Sequence, residues 1–208
     1  GDFPRGTEPM PINLKDLSEA VRENNADIGL ATDPDADRLA IVDNTGLPIG
    51  EEFTLILALE SYLKYYKDSQ KIVTNLSTSM GVDAIASKYN SKVVRSSVGE
   101  INVVEKMKAI SSSIGGEGNG GVILKESHLG RDSLVASILV LNHLAQSNLS
   151  LNKIMENIPL FIMIKDKITI KNNNVNFNDI KTHFKNEDNI IFIEDDGLKI
   201  LWDNKWAH

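Results

Sequence analysis

The chain has 208 residues, room for one or two domains, and a 41% hydrophobic content that can supply a packed core. Its 22 Lys plus Arg against 29 Asp plus Glu give a formal net charge of −7, which excludes a non-specific grip on nucleic acid but leaves room for a small anionic substrate met by a local cation. The absence of cysteine excludes disulfides, thiolate metal sites and a cysteine nucleophile and fits a reducing, cytoplasmic setting, and no apolar run is long enough to span a bilayer, so no membrane partner is expected.

In chain order, Gly1-Asp2-Phe3-Pro4 lacks an initiator Met and reads like the middle of a longer protein. Residues 13–23 are predicted to be helical, with Asn13 as N-cap, Asp16 in the first turn, and Leu14, Leu17 and Val21 on one face. Residues 28–31 read as a buried strand, 32–38 as a loop, 39–43 as a second strand, and Asn44-Thr45-Gly46 as a turn. Helix is predicted over 53–65, strand over 71–76, helix from a Ser79 cap to 89, strand over 92–95 and helix over 101–110. Gly115 to Gly121 has five glycines in seven positions and reads as a loop, followed by an apolar helix over 133–146.

Alternating strands and helices predict the α/β class, with a mixed, mostly parallel sheet flanked by helices over residues 44–150. Residues 1–43 look like the end of a preceding domain, since one helix and two strands cannot close a core alone. After residue 150 the composition becomes richer in Asn, Lys and Asp, and 151–208 read as an incomplete α+β unit. Strands are expected there over 158–170 and 190–194, a helix over 177–184, and a polar surface around Asn172-Asn173-Asn174. The chain is expected to stop at Trp206-Ala207-His208 without a turn or closing element.

Asp33-Pro34-Asp35-Ala36-Asp37-Arg38 is the sharpest local signal. Three carboxylates at alternating positions in a tight loop can converge on one point, where they repel unless a cation is present, and hard divalent cations take several oxygen ligands. The bland reading is a solvated acidic turn, since Asp and Pro favour turns locally. An EF-hand is rejected: that loop needs Gly at its sixth and Glu at its twelfth position, where this chain has Arg38 and Asn44. Arg38 can neutralise the loop or reach a phosphate beside the metal.

The run Gly115-Gly116-Glu117-Gly118-Asn119-Gly120-Gly121 matches neither a P-loop nor a dinucleotide fingerprint. It offers one carboxylate and one amide, Glu117 and Asn119, between glycines that allow close backbone approach. Those groups can bond sugar hydroxyls, or sit in an ordinary surface loop.

Taken together, the two loops resemble the α-D-phosphohexomutase superfamily, which includes phosphomannomutase, phosphoglucomutase and phosphoglucosamine mutase. Its metal loop reads D-x-D-x-D-R, here Asp33 to Arg38, and its sugar loop reads G-E-x-S/N-G, here Gly116 to Gly120. Val98-Gly99-Glu100 with Val104-Glu105-Lys106-Met107, and Gly130-Arg131-Asp132-Ser133 before the long helix, are similar to further family segments. The resemblance implies the end of a second domain, a whole third domain and the start of a fourth. It implies Mg2+ held by Asp33, Asp35 and Asp37, and substrate contacts from Arg38, Glu117 and Asn119. The implied reaction is isomerisation of a hexose phosphate (mannose, glucose or glucosamine) between O1 and O6 through a phosphoserine and a hexose 1,6-bisphosphate. The family's Ser-His-Asn-Pro loop is absent, so no catalytic nucleophile is assigned and the chain alone is expected to be inactive. Ser77-Thr78-Ser79 lacks the His-Asn-Pro, and Gly6-Thr7-Glu8-Pro9 reads as a coincidental likeness to the phosphate clamp. Gly121 stands where some members have His, and His128 has a surface or packing role at least as readily as a site role. The competing class is a non-catalytic sugar-phosphate or metal-binding module.

Overall fold

The computed structural model describes residues 5–65, 69–166, 168, 169 and 175–208. Gly1–Leu160 form one compact unit and Phe161–His208 a second.

The first unit opens with a turn of 3-10 helix, Pro11–Asn13, then α1, Lys15–Glu23. The expected Asn13 cap is not formed. Pro11 starts the turn early because its ring presets a helical φ, Leu14 takes the cap position, and Asn13 Nδ2 instead donates to the Glu8 carbonyl at 2.8 Å. β1, Ile28–Thr32, and β2, Leu39–Asp43, pair antiparallel. All five β2 residues are buried because its two faces meet different partners. Leu39 and Ile41 enter the main core, whereas Ala40 and Val42 join Leu14 and Val21 in a smaller one. The hairpin therefore closes on its neighbours rather than alone.

α2, Glu51–Tyr65, is buried on all sides from Leu55 to Leu63, a mostly apolar stretch that also takes Glu60 and Ser61 inside. It packs against β2, α3 (Gly81–Lys88) and α5 (Ser133–Ser147). β3 (Lys71–Asn75), β4 (Lys92–Ser96), β5 (Ile114–Glu117), β6 (Gly121–Leu124) and β7 (His128–Arg131) form one sheet in the order β4-β3-β5-β6-β7. β3 is parallel to β4 and β5, and β6 is antiparallel to β5 and β7, so only β6 runs against the rest. Successive residues serve opposite faces: Ile72 and Val122 enter the core with α2, and Val73 and Ile123 pack on Val103, Val104 and Met107 of α4, Glu100–Ile110. Helices thus cover both faces. α6, Leu151–Met155, contributes Leu151 and Ile154 to the main core, which Ile158 also joins, so the compact unit runs past the composition change at residue 150.

The glycine-rich segment differs from its reading as a loop: Ile114–Glu117 and Gly121–Leu124 are strands of a tight hairpin. Glycine has poor strand propensity, and β5 is made a strand by its ladders to β3 and β6. β7 has no strand signature of its own either: His128-Leu129-Gly130-Arg131 lacks alternation and is made a strand by pairing with β6.

In the second unit, α7 (Phe177–Phe184) accompanies a three-stranded antiparallel sheet of β8 (Ile191–Ile193), β9 (Lys199–Leu201) and β10 (Trp206–Ala207). Phe184 meets Trp202 edge to face, with centroids 5.6 Å apart. The chain therefore ends on a closing strand after a turn in which Trp202 N–H donates to the Lys205 carbonyl at 2.9 Å. The strand expected over 158–170 is not formed by its described residues: Leu160, Ile162, Ile164 and Ile168 alternate in sequence but stand exposed, outside every sheet. Residues 167 and 170–174, with Asn172-Asn173-Asn174, lie outside the described residues, as do Gly1 to Pro4. No helix among the described residues is long and apolar enough to cross a membrane.

Candidate functional site

The loop between β1 and β2 is folded back on itself by its first acid. Asp33 Oδ1 accepts the backbone N–H groups of Asp37 and Arg38, each at 3.1 Å, and the Asp33 carbonyl accepts Ala36 N–H at 3.1 Å. Ala36 is left-handed, at φ +59°, a conformation that an alanine adopts at a cost when the surrounding bonds impose it. The result brings one carboxylate oxygen each of Asp33, Asp35 and Asp37 within 4.8 Å of one another. Asp33 is buried, Asp35 exposed and Asp37 half-buried. Burial, and then the hydrogen bond with Asp33, push the Asp37 carboxyl up to about 6, against the opposing pull of Arg131. Burial acts on Asp33 too, but hydrogen bonds from the Arg38 backbone and side chain and from Asp37 hold it below the ordinary carboxylate range. Among the described residues Asp37 Oδ1 is buried without a hydrogen-bond partner, with Arg38 Nε 3.6 Å away, which suits a cation ligand.

Arg38 is engaged within this loop. Its Nε donates to Asp33 Oδ2 at 2.6 Å and its Nη1 to Glu8 Oε2 at 2.7 Å. The hydrogen bond to Arg38 holds the Glu8 carboxyl below its usual range. Glu8, set aside as coincidence in the sequence, is thus part of the loop's surroundings.

The turn carrying Glu117 and Asn119 sits beside the metal loop. Leu39 N–H donates to the Gly120 carbonyl at 3.0 Å, Arg38 bridges Gly121, and Ser133 N–H at the start of α5 donates to the Ala36 carbonyl at 3.1 Å. Glu117 ends β5 next to Asn75, which ends β3. The chain leaves β3 for β4 on one side and returns to β5 on the other, a switch point at the carboxyl ends of parallel strands where α/β folds bind ligands. Glu117 is buried and bonded to three donors: Oε1 accepts Asn75 Nδ2 at 2.6 Å and Gly99 N–H at 3.2 Å, and Oε2 accepts Arg131 Nη1 at 2.7 Å. Asn119 is half-buried, and its Oδ1 accepts Gly121 N–H at 3.2 Å.

Sequence reasoning assigned no site role to Asn75, Glu100 or Arg131. Arg131 also pairs with Asp37, and its Nε lies 3.5 Å from Glu100 Oε2. Nothing local marks these positions; the resemblance of segments 98–100 and 130–133 covers Glu100 and Arg131 but not Asn75. Thr78 is bound internally, its Oγ1 accepting Gly118 N–H at 3.0 Å, and Ser79 Oγ accepts Gly81 N–H at 3.3 Å beside the start of α3. His128 is exposed, 3.7 Å from Asp132.

Two family models match the chain. One, described as phosphoglucomutase/phosphomannomutase alpha/beta/alpha domain II, matches residues 1–46, and another, described as domain III of the same proteins, matches residues 50–161. A phosphoglucomutase/phosphomannomutase of Thermococcus kodakarensis is 30% identical over 100% of this chain and 45% of its own length. A phosphoglucosamine mutase of Pasteurella multocida is 35% identical over 72% of this chain and 34% of its own. The chain spans less than half the length of these curated relatives. A phosphoglucomutase/phosphomannomutase family protein of Burkholderia thailandensis, 20% identical, superposes with a TM-score of 0.78 over 96% of this chain and 43% of its own, a likeness of fold. Because the domain III match alone takes in more than half of the residues, and the domain II match carries the aspartate loop beside it, the chain belongs to the phosphoglucomutase/phosphomannomutase family of the α-D-phosphohexomutase superfamily.

Proposed function

We propose that this chain carries the cation loop and the sugar loop of a phosphohexomutase, an isomerase of the cytoplasm that moves a phosphoryl group between O1 and O6 of a hexose phosphate. The route we assign passes through a phosphoserine and a hexose 1,6-bisphosphate. The observation that carries the reading is the junction of the loops: Asp37 and Glu117 are held by one guanidinium, that of Arg131. The segments 1–43, 44–150 and 151–208 then stand for the end of the second domain, the third domain and part of the fourth.

Asp33, Asp35 and Asp37 would hold Mg2+, for which an all-oxygen donor set and an Asp37 Oδ1 that accepts no hydrogen bond from the described residues are suited. When bound, Mg2+ offsets the negative charge spread over the oxygens of the transferring phosphoryl group. Arg38 would exchange Glu8 for a substrate phosphate, which its planar fork fits bidentately. The three N–H donors on Glu117 leave it roughly one lone-pair site of about four for a sugar hydroxyl. Asn119 would add its amide N–H groups. No serine here lies in a Ser-His-Asn-Pro motif, so the nucleophile and the clamp on the non-reacting phosphate belong to segments outside these 208 residues.

A coupled assay with a hexose 1-phosphate, its 1,6-bisphosphate and Mg2+ tests the assignment. The chain alone should be inert, and a complete protein containing it should turn over. In that protein Asp35→Ala should lower kcat about 100-fold or more, as loss of a charge-stabilising group does. Glu117→Ala should act chiefly on KM. Binding of hexose phosphate and Mg2+ by the complete protein without turnover would make it a non-catalytic binding module instead.

A further inference from the structure

The side chain that joins the two loops is one to which the proposed reaction gives no role. Arg131 pairs through Nη2 with Asp37 and donates through Nη1 to Glu117 Oε2 at 2.7 Å. Among the described residues its Nε is buried without a hydrogen-bond partner, 3.5 Å from Glu100 Oε2. Glu100 is itself fixed, since its Oε1 accepts the Arg131 backbone N–H at 2.8 Å. Glu100 Oε2 is therefore the nearest carboxylate that the guanidinium could approach if it released Asp37. The Arg131 side chain lies directly against Gly121, where a Cβ would come within 2.3 Å of Arg131 Cδ. Arg38 cannot take this part, because its bonds go to Asp33 and Glu8 and not to Glu117.

We propose that Arg131 is a positioning residue that relays occupancy of the aspartate loop to Glu117, an inference that rests on the cation reading of that loop. A divalent cation held by Asp37 replaces the charge that the guanidinium now supplies and repels it over a few ångströms. Arg131 then shifts toward Glu100 and Glu117, and the Glu117 carboxylate readjusts against its other two donors, Asn75 Nδ2 and Gly99 N–H. The cation site and the sugar carboxylate thus behave as one unit, in which filling the first resets the second.

NMR titration of the 208-residue chain with MgCl2 tests this. In the wild type, the backbone amides of Asp37 and Arg38 should shift, and so should the Gly99 amide and the Asn75 side-chain amide, which report on Glu117. In Arg131→Gln the first pair should still shift and the second pair should not. Gly121→Ala displaces the Arg131 side chain while keeping its charge and should give the same split. Its backbone is compatible with alanine, so it stands in if Arg131→Gln does not fold. Shifts at Gly99 and Asn75 that persist in both variants, or their absence from the wild type while Asp37 responds, overturn the relay. A wild type in which Asp37 and Arg38 fail to respond overturns the cation reading itself, and the relay with it.

Discussion

Leu39 N–H donates to the carbonyl of Gly120 at 3.0 Å, which ties the strand after the aspartate loop to the turn that carries Glu117 and Asn119. Gly120 has φ +94°, and a Cβ on it would lie 2.5 Å from the Leu39 carbonyl oxygen. Gly120→Ala is therefore expected to destabilise the chain by about 1–3 kcal/mol, from the left-handed backbone and the contact with a main-chain atom that cannot swing away. Urea unfolding measures this. An unchanged midpoint would mean that the two loops do not meet at this distance.

Proton and cation should compete at Asp37. Its carboxyl, raised to about 6, is protonated more readily in the folded chain than in the unfolded one. Without a divalent cation, the stability it contributes is present at low pH and is lost as pH rises from about 4 through about 6. Cation binding then displaces a proton, so Mg2+ affinity should fall by about tenfold per pH unit below about pH 6. Calorimetry in buffers of different ionisation enthalpy counts that proton. Affinity that is flat from pH 7 to pH 5 would count against the assignment, and in Asp37→Asn the proton release should vanish.

Glu8 is expected to hold Arg38 in reserve. Glu8→Gln removes an ion pair whose acid is more than half exposed, so the stability cost should stay within about 1 kcal/mol. Freed of that carboxylate, Arg38 should bind a hexose phosphate more tightly, whereas Arg38→Gln should bind it more weakly. Titration of both variants with hexose 6-phosphate decides the matter, and weaker binding in both would mean that Glu8 contacts the ligand directly.

A buried histidine in the helical layer sets a second pH dependence. Glu60 of α2 is paired with Lys88, hydrogen-bonded by the Tyr89 hydroxyl at 3.4 Å, and lies 3.6 Å from His143 Nε2 of α5. Burial lowers the His143 pKa, with Glu60 opposing and Lys64 and Lys88 adding to the effect. A histidine held neutral by the fold takes up its proton more easily when unfolded. Its contribution is present above the unfolded value and is lost as pH falls through about 6.5 and below. His143→Gln should flatten thermal stability between pH 7 and pH 5. Lys88→Met should cost about 1–3 kcal/mol by leaving the Glu60 charge poorly compensated, read as a lower urea midpoint at pH 7. An unchanged midpoint in Lys88→Met would show that the pair with Lys88 does not stabilise the fold.

Much of the aspartate loop was legible because it is local. Asp33, Asp35 and Asp37 alternate within one turn, and the bonds that fold the turn run from Asp33 to the backbone of Asp37 and Arg38 only four and five residues on. The alternation of β3, α3, β4 and α4 was equally plain, since each carries its own apolar periodicity. The hairpin of β5 and β6 was not, because a strand of glycines has no signature until Ile72 and Leu124 lie on either side of Ile114. The reverse failure lies at residues 160–168, where alternation is written in the sequence but the described residues join no sheet.

The sequence by itself determined that three aspartates alternate within one turn, that a carboxylate and an amide stand between glycines, and the family to which both loops belong. Only the tertiary structure decided that residues 37, 75, 99, 100, 117 and 131 share one network, with Glu117 bonded to three donors and Arg38 occupied by Glu8. The reason is range. A turn is closed by groups a few residues apart, and the energies that close it can be read along the chain. The partners of Arg131 lie 14 to 94 residues away, and they converge because β3, β5 and β7 run in one direction and end at the same edge of the sheet, where the turn before β6 meets the β1–β2 hairpin.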